Sequence, residues 1–313
     1  MALCFAFPGQ GSQHVGMAKD LFDRFAAVRK LYEEASEALA YDVASLSFNG
    51  PAGELNRTEK TQPCLLVASI AALTALTQNN VEPTAVIGHS LGEYSALVAA
   101  GSLSLKDAVR LTELRGRIMQ EAVPEGKGLM AAILGLDKEK IQEVCASVTS
   151  GYVGVANYNC PGQIVISGEK AAVEEAIKKA KDRDARRAVS LAVSVPSHSA
   201  LMKDAAERFE KALDEFALGD AKIPFVCNSD ARHITRAADI RSALVRQLSQ
   251  SVLWEDCVKA VFSSFAQTFI EVGPGKVLSG LIRRIEPSAK VMNVEDGDSL
   301  SKTLAELQVA GSE

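Results

Sequence analysis

Ser90, set in Gly88-His89-Ser90-Leu91-Gly92, has the surroundings of a nucleophile. In a G-x-S-x-G elbow the serine backbone is strained, and a Cβ at either glycine would crowd the adjoining strand or helix, so only the hydroxyl projects outward. Such a hydroxyl needs a base, and the chain offers four histidines. His89 adjoins Ser90 in an extended segment and is expected to point the other way. His14 follows a glycine loop, and His233 lies in the polar stretch after Ser229-Asp230-Ala231-Arg232. His198 is the favoured base, because it stands where a strand is expected to end and a helix to begin, the place at which active sites of open α/β sheets collect. The Leu91 amide falls in the first turn of the next helix, where N–H groups are unpaired and the dipole favours negative charge, which suits an oxyanion. As a bare pattern the same five residues also fit a glycine-bordered turn with a capping serine.

The elements around Ser90 support the first of these readings. Residues 84–87 carry β-branched Val86 and Ile87 in a short apolar run, a buried strand, and apolar residues recur at helical spacing through Ala100. The chain opens with another buried-strand run, residues 3–7, followed by Pro8-Gly9-Gln10-Gly11-Ser12-Gln13. That loop has a G-x-G start, but His14 occupies the third glycine position and no ribose-binding acid clearly follows, so a dinucleotide site is disfavoured. Its glycines let backbone approach a ligand instead. Helical periodicity covers residues 17–39 and 58–77, the second including Thr61-Gln62-Pro63. Ser104 and Asp107 form a capping box for a helix reaching Ala122, which carries Arg110, Arg115 and Arg117. Ordinarily such arginines belong to a solvated face.

Between residues 128 and 195 the pattern becomes strand 129–134, helix 137–148, strands 152–156 and 163–167, helix 169–181 and strand 187–193. This βαββαβ order predicts a ferredoxin-like insert on a larger α/β body, with a ligand cleft between them. The expected division is therefore 1–127 with 196–313, and 128–195. Beyond the insert, strands are expected at 223–227, 267–272 and 290–293, and helices at 200–216, 236–249, 251–264, 275–285 and 299–309. Gly273-Pro274-Gly275-Lys276 fails the phosphate-loop spacing and reads as a helix-entry turn.

Composition narrows the class. With 313 residues, 47% of them hydrophobic, the chain can bury a large core. No apolar run reaches the roughly 18 residues of a membrane helix, and no secretion signal is evident, so a cytoplasmic protein without membrane partners is expected. A net charge of −5 argues against nucleic acid as a partner. Cys4, Cys64, Cys145, Cys160, Cys227 and Cys257 are scattered without a C-x-x-C pair, so neither a metal site nor a disulfide framework is expected.

Phe7-Pro8-Gly9-Gln10-Gly11-Ser12-Gln13, Thr61-Gln62-Pro63, Gly88-His89-Ser90-Leu91-Gly92-Glu93-Tyr94-Ser95, Arg115-Gly116, Val195-Pro196-Ser197-His198 and Glu271-Val272-Gly273-Pro274-Gly275 occur in the order of one known family. Over nearly its whole length the chain resembles the malonyl-CoA:acyl carrier protein transacylases of bacterial fatty acid synthesis. The resemblance implies a hydrolase-like α/β domain with a ferredoxin-like insert, malonyl-CoA and coenzyme A as ligands, acyl carrier protein as partner, and no cofactor. It implies Ser90 as nucleophile and His198 as base, with Leu91 and Gln10 amides as the oxyanion hole. Arg115 would grip the malonyl carboxylate, Gln62, Asn157 and Asn159 would serve the substrate site, and the backbone carbonyl of Gln247 would orient the histidine in place of an acid. After Gln247 the chain reads Leu248-Ser249-Gln250-Ser251-Val252, where the resemblance implies an Asn-Pro pair, and Ser199 stands where cysteine is frequent. The basic run Lys178-Lys179-Ala180-Lys181-Asp182-Arg183, with Arg186-Arg187, fits either a docking surface for an acidic carrier or a solvated helix face.

Overall fold

Apolar runs without polar alternation suit strands covered on both faces, and Leu3–Phe7 (β1) and Ala85–Gly88 (β2) are buried at every position. The computed structural model describes residues 1–124, 126–191 and 195–310. After β2 the chain forms Gly128–Leu134 (β3), Val153–Cys160 (β4), Gln163–Glu169 (β5) and Arg187–Ser190 (β6), then Phe225–Val226 (β7), His233–Ile234 (β8), Thr268–Val272 (β9) and Lys290–Val294 (β10). Six of these make one sheet in the order β10-β9-β1-β2-β7-β8. Its pairs are parallel except β7 with β8. Alternation along β1 sends Phe5 and Phe7 into the core on one face and Cys4 and Ala6 into the core on the other.

The remaining four strands form an antiparallel sheet, β4-β5-β3-β6. Helices Lys138–Ala146 and Lys170–Lys181 cover one face of it, packing on Ala131, Ile133, Ile164 and Ile166. Met130, Ala132 and Val165 point to the opposite face. The strand expected over 187–193 ends at Ser190, and its positions 192 and 193, like Ser194 at the expected boundary of the insert, lie outside the described residues. The small sheet is tied to the segment between helices Ala237–Ser249 and Trp254–Ser264 through a parallel bridge between Asn157 and Val252, in which Val252 N–H donates to Ala156 O at 2.8 Å and Tyr158 N–H donates to Val252 O at 2.9 Å.

Other expectations differ as well, the strand expected over 223–227 being only Phe225–Val226 and the helix expected over 251–264 starting at Trp254. The helix expected over 17–39 is broken into Lys19–Arg24 and Ala26–Leu39 by Phe25, whose extended backbone (φ −113°, ψ 118°) lets both pieces pack. The expected helix 200–216 is an α-helix only over Lys203–Ala212, flanked by tighter 3₁₀ turns. Thr58–Gln78 has 21 residues and a mean hydropathy of 1.2 over its best window, so an apolar stretch of membrane-spanning length does exist, contrary to expectation. That window is 78% buried, because helices Ala26–Leu39, Gly92–Ala99 and Leu105–Ala122 pack around it. Ser104 caps the last of these, its Oγ accepting from Asp107 N–H at 3.0 Å.

Candidate active site

Ser90 turns the chain between β2 and helix Gly92–Ala99 with φ 52°, a left-handed conformation that costs on the order of 1–3 kcal/mol for a residue other than glycine. A Cβ on Gly88 would come within 2.0 Å of Gly92 C, and one on Gly92 within 2.1 Å of Phe7 O, so both glycines are sterically required. Asn228 holds the turn from both sides. Its Oδ1 accepts from Ser90 N–H at 2.8 Å, and its Nδ2 donates to Gly88 O at 2.8 Å. It stands just beyond β7, which pairs with β2 in parallel register, Val86 opposite Phe225 and Ile87 opposite Val226. Sequence reasoning missed this asparagine; the signal available was a buried polar residue ending an apolar strand run.

His198 Nε2 lies 2.8 Å from Ser90 Oγ, and its Nδ1 lies 2.7 Å from the backbone carbonyl of Gln247. A carbonyl only accepts, so Nδ1 carries the proton and Nε2 presents its lone pair to the serine hydroxyl. The ring is buried. Burial, reinforced by the positive charge of Arg115, pushes the imidazole down to about 3, which keeps it unprotonated, with its Nε2 lone pair free, at neutral pH. His198 does not end a strand of the large sheet. It sits in the loop before the turn Ala200–Met202, at φ 58°, with its N–H donated to Leu248 O at 3.1 Å. Helix Ala237–Ser249 therefore supplies both anchors of the histidine.

Arg115 projects from helix Leu105–Ala122 into the interior and is 1% exposed, so the solvated-face expectation fails for it. One terminal nitrogen donates to Gln62 Oε1 at 2.8 Å; the other donates to Gln247 Oε1 at 2.9 Å and reaches Ser90 Oγ at 3.4 Å. Its Nε has no partner, and among the described residues no carboxylate lies within ion-pairing distance. Burial pushes its pKa down, opposed by Tyr94 and Glu93, but a guanidinium stays charged. A cation buried beside a nucleophile, with donor capacity to spare, is arranged to meet an anion.

These groups open on a cleft of about 210 Å³ between the two sheets. Gln10 and Leu91 line it with Ser90 and His198, and the Leu91 amide stands at the start of the elbow helix. The Gln10 side-chain amide leans toward Thr58 Oγ1 at 3.5 Å. Asn157 and Asn159 also line the cleft, and Asn159 Oδ1 lies 2.9 Å from His89 Nε2, so His89 faces β4 of the four-stranded sheet rather than Ser90 Oγ. Gln62 does not line the cleft; it touches Arg115 from behind. His14 and His233 are exposed and distant from the elbow contacts. Val277, Leu278 and Leu281 form one wall on helix Val277–Ile285, whose first amides at Leu278 and Ser279 donate to buried Glu271 at 2.9 and 2.7 Å. Gly273–Gly275 thus acts as the expected helix-entry turn.

A base-activated serine beside an unpaired guanidinium suits a group that is at once acyl and anionic, and acyl transfer is the class of chemistry this arrangement defines. The chain belongs to the acyl transferase family, whose domain model matches residues 4–300, and within it to the malonyl CoA-acyl carrier protein transacylases. It is 46% identical over 308 residues to the malonyl CoA-acyl carrier protein transacylase of Bacillus subtilis, covering 98% of this chain and 97% of that one. An acyl carrier protein S-malonyltransferase structure from Vibrio cholerae superposes with a TM-score of 0.94 at 46% identity, over 97% of this chain and 100% of that one. A malonyl-transacylase solved in complex with a type II PKS acyl-carrier protein superposes with a TM-score of 0.95 at 45% identity, over 98% of this chain and 100% of that one.

Proposed function

We propose that this enzyme moves a malonyl group from malonyl-CoA to the phosphopantetheine thiol of an acyl carrier protein by a ping-pong reaction through a malonyl-Ser90 ester. Ser90 Oγ attacks the thioester carbonyl while His198 Nε2 takes the hydroxyl proton; the C–S bond then breaks and His198 returns that proton to the coenzyme A thiolate. The carrier thiol reverses the sequence, His198 accepting its proton and Ser90 leaving as the restored hydroxyl. Amides of Leu91 and Gln10 stabilise the oxyanion in each half-reaction. Arg115 pairs with the free carboxylate, held ready by Gln62 and Gln247. Asn157 and Asn159 bound the substrate on the insert side.

The observation that carries this reading is the buried Arg115 guanidinium, 3.4 Å from Ser90 Oγ and without a carboxylate partner among the described residues. A carboxylated acyl group supplies the missing counter-charge, and an acetyl group does not. We also read the four-stranded unit as ferredoxin-like, residues 128–195, on a hydrolase-like body of 1–127 and 196–313; the βαββαβ order with the first and third strands central supports this. Supply of fatty acid synthesis in the cytoplasm, without a cofactor, follows from the same reading.

Intact-mass measurement after rapid mixing with malonyl-CoA or acetyl-CoA tests it. A malonyl adduct on Ser90, removed by carrier thiol and abolished in Ser90→Ala, is expected, with far less acetyl adduct. Malonyl loading that survives Ser90→Ala would sink the mechanism, and release to water as fast as to carrier thiol would make the enzyme a hydrolase.

A further inference from the structure

Glu93 follows Ser90 by three residues, is wholly buried in the first turn of its helix, and makes no ion pair among the described residues. Burial pushes its carboxyl up to about 8, opposed by the Asn228 amide, Arg115 and the Gln247 side chain, so the contacts that follow, in which both oxygens accept, are those of the carboxylate present above that pH. Its two oxygens meet two donors: Oε1 accepts from Asn228 N–H and Oε2 from Gln247 Nε2. Gln247 Nε2 also donates to Ser90 O at 2.8 Å, while Gln247 Oε1 accepts from Arg115 at 2.9 Å. An amide has one donor end and one acceptor end. Here the donor end is enclosed by Glu93 and the Ser90 carbonyl, and the acceptor end faces a guanidinium that can only donate. The orientation of Gln247 is thereby fixed, and the same residue's backbone carbonyl orients His198.

We propose that Glu93 is the positioning residue of this site: acting through Gln247, it sets the guanidinium of Arg115 for the substrate carboxylate and steadies the carbonyl that aligns His198. The inference rests on the malonyl-transfer reading. Glu93 does not line the cleft, so its effect on substrate is transmitted and not direct. Replacement by glutamine keeps the volume but adds an NH₂ group. Whichever way that head turns, its NH₂ faces either Asn228 N–H or Gln247 Nε2, both donors, and the available relief is a flipped Gln247 that turns its own NH₂ on Arg115. Malonyl recognition should then fail more than acetyl recognition does, which a general loss of folding would not produce.

The test compares single-turnover acylation of Ser90 by malonyl-CoA and acetyl-CoA in the wild type, Glu93→Gln and Glu93→Asp, each with its melting temperature. In Glu93→Gln the malonyl-to-acetyl rate ratio falls roughly tenfold, as expected for mispairing one buried hydrogen bond. In Glu93→Asp, where an acceptor-only head one carbon shorter reaches one donor, it falls roughly threefold. A ratio within about twofold of wild type in a folded Glu93→Gln enzyme, even with both rates reduced, overturns the proposal. Should Glu93→Gln not fold, an unchanged ratio in Glu93→Asp overturns it equally. If the wild type itself forms no malonyl adduct on Ser90, the malonyl reading fails first, and that result is seen before any variant is compared.

Discussion

Protonation of His198 decides whether Ser90 has a base. The free imidazole titrates near 6.5, but in the folded protein burial and Arg115 hold it down to about 3. In second-order acylation at low malonyl-CoA, which reports groups of the free enzyme, loss of this base should therefore set in only below about pH 5 and contribute no midpoint near 6.5. A midpoint near 6.5 would contradict the environment described for the ring. The same shift bears on stability. As pH falls below about 6.5 the unfolded chain takes up a proton that the folded chain refuses, so this group's contribution is intact above about 6.5 and is lost progressively toward about 3. Ser90 and His198 stood out from their own surroundings in the sequence, whereas Arg115 and Gln247 came only through the family resemblance, the residues alone placing Arg115 on a solvated face. Glu93 lay inside one of the family motifs without an assignable role, and Asn228 outside all of them, because their contacts join residues 135 and 138 positions apart. Only the parallel pairing of β2 with β7 brings those residues together.

Elements were legible wherever periodicity was unbroken, and the elbow most of all, since strand, turn and helix each left their own mark on sequence. Breaks without glycine or proline were invisible: Phe25 splits one long amphipathic pattern while preserving its apolar stripe. The departure after Gln247 has a local account. Gln250 is extended (φ −113°, ψ 158°), the conformation that a following proline would also favour, and Ser251 Oγ instead donates to Val155 O at 2.6 Å. At this scale Gly92→Ala is the sharp test of the elbow. Its Cβ would press within 2.1 Å of Phe7 O, forcing the helix away from β1. We expect a loss of about 1–3 kcal/mol in urea unfolding, with Ser90 acylation falling more steeply than stability because the turn itself is displaced. Unchanged acylation would show that the elbow tolerates looser packing than its contacts indicate.

Across the whole molecule, the two faces of the small sheet divide the labour. Met130 and Val165 on one face line the cleft, while Ala131, Ile133 and Ile166 on the other pack under helices Lys138–Ala146 and Lys170–Lys181. The basic run that sequence left open as a docking surface lies on and just beyond the second helix, on the covered face and away from the cleft. Part of it is already used within the unit: Lys179 donates to Ser147 O and pairs with Glu175 at 3.1 Å, and Arg183 pairs with Glu143 at 2.6 Å. Lys178 and Lys181 remain exposed. A carrier protein must deliver its thiol through the cleft mouth, so charge on the far face acts on it only weakly, since exposed charges more than about 10 Å apart are largely screened at 0.1 M salt. The double reversal Lys178→Glu with Lys181→Glu should leave the KM for carrier protein within about twofold at that salt. A several-fold rise in KM that fades as salt is added would instead put the carrier against the helix layer, and would require its prosthetic arm to reach Ser90 around the edge of the small sheet.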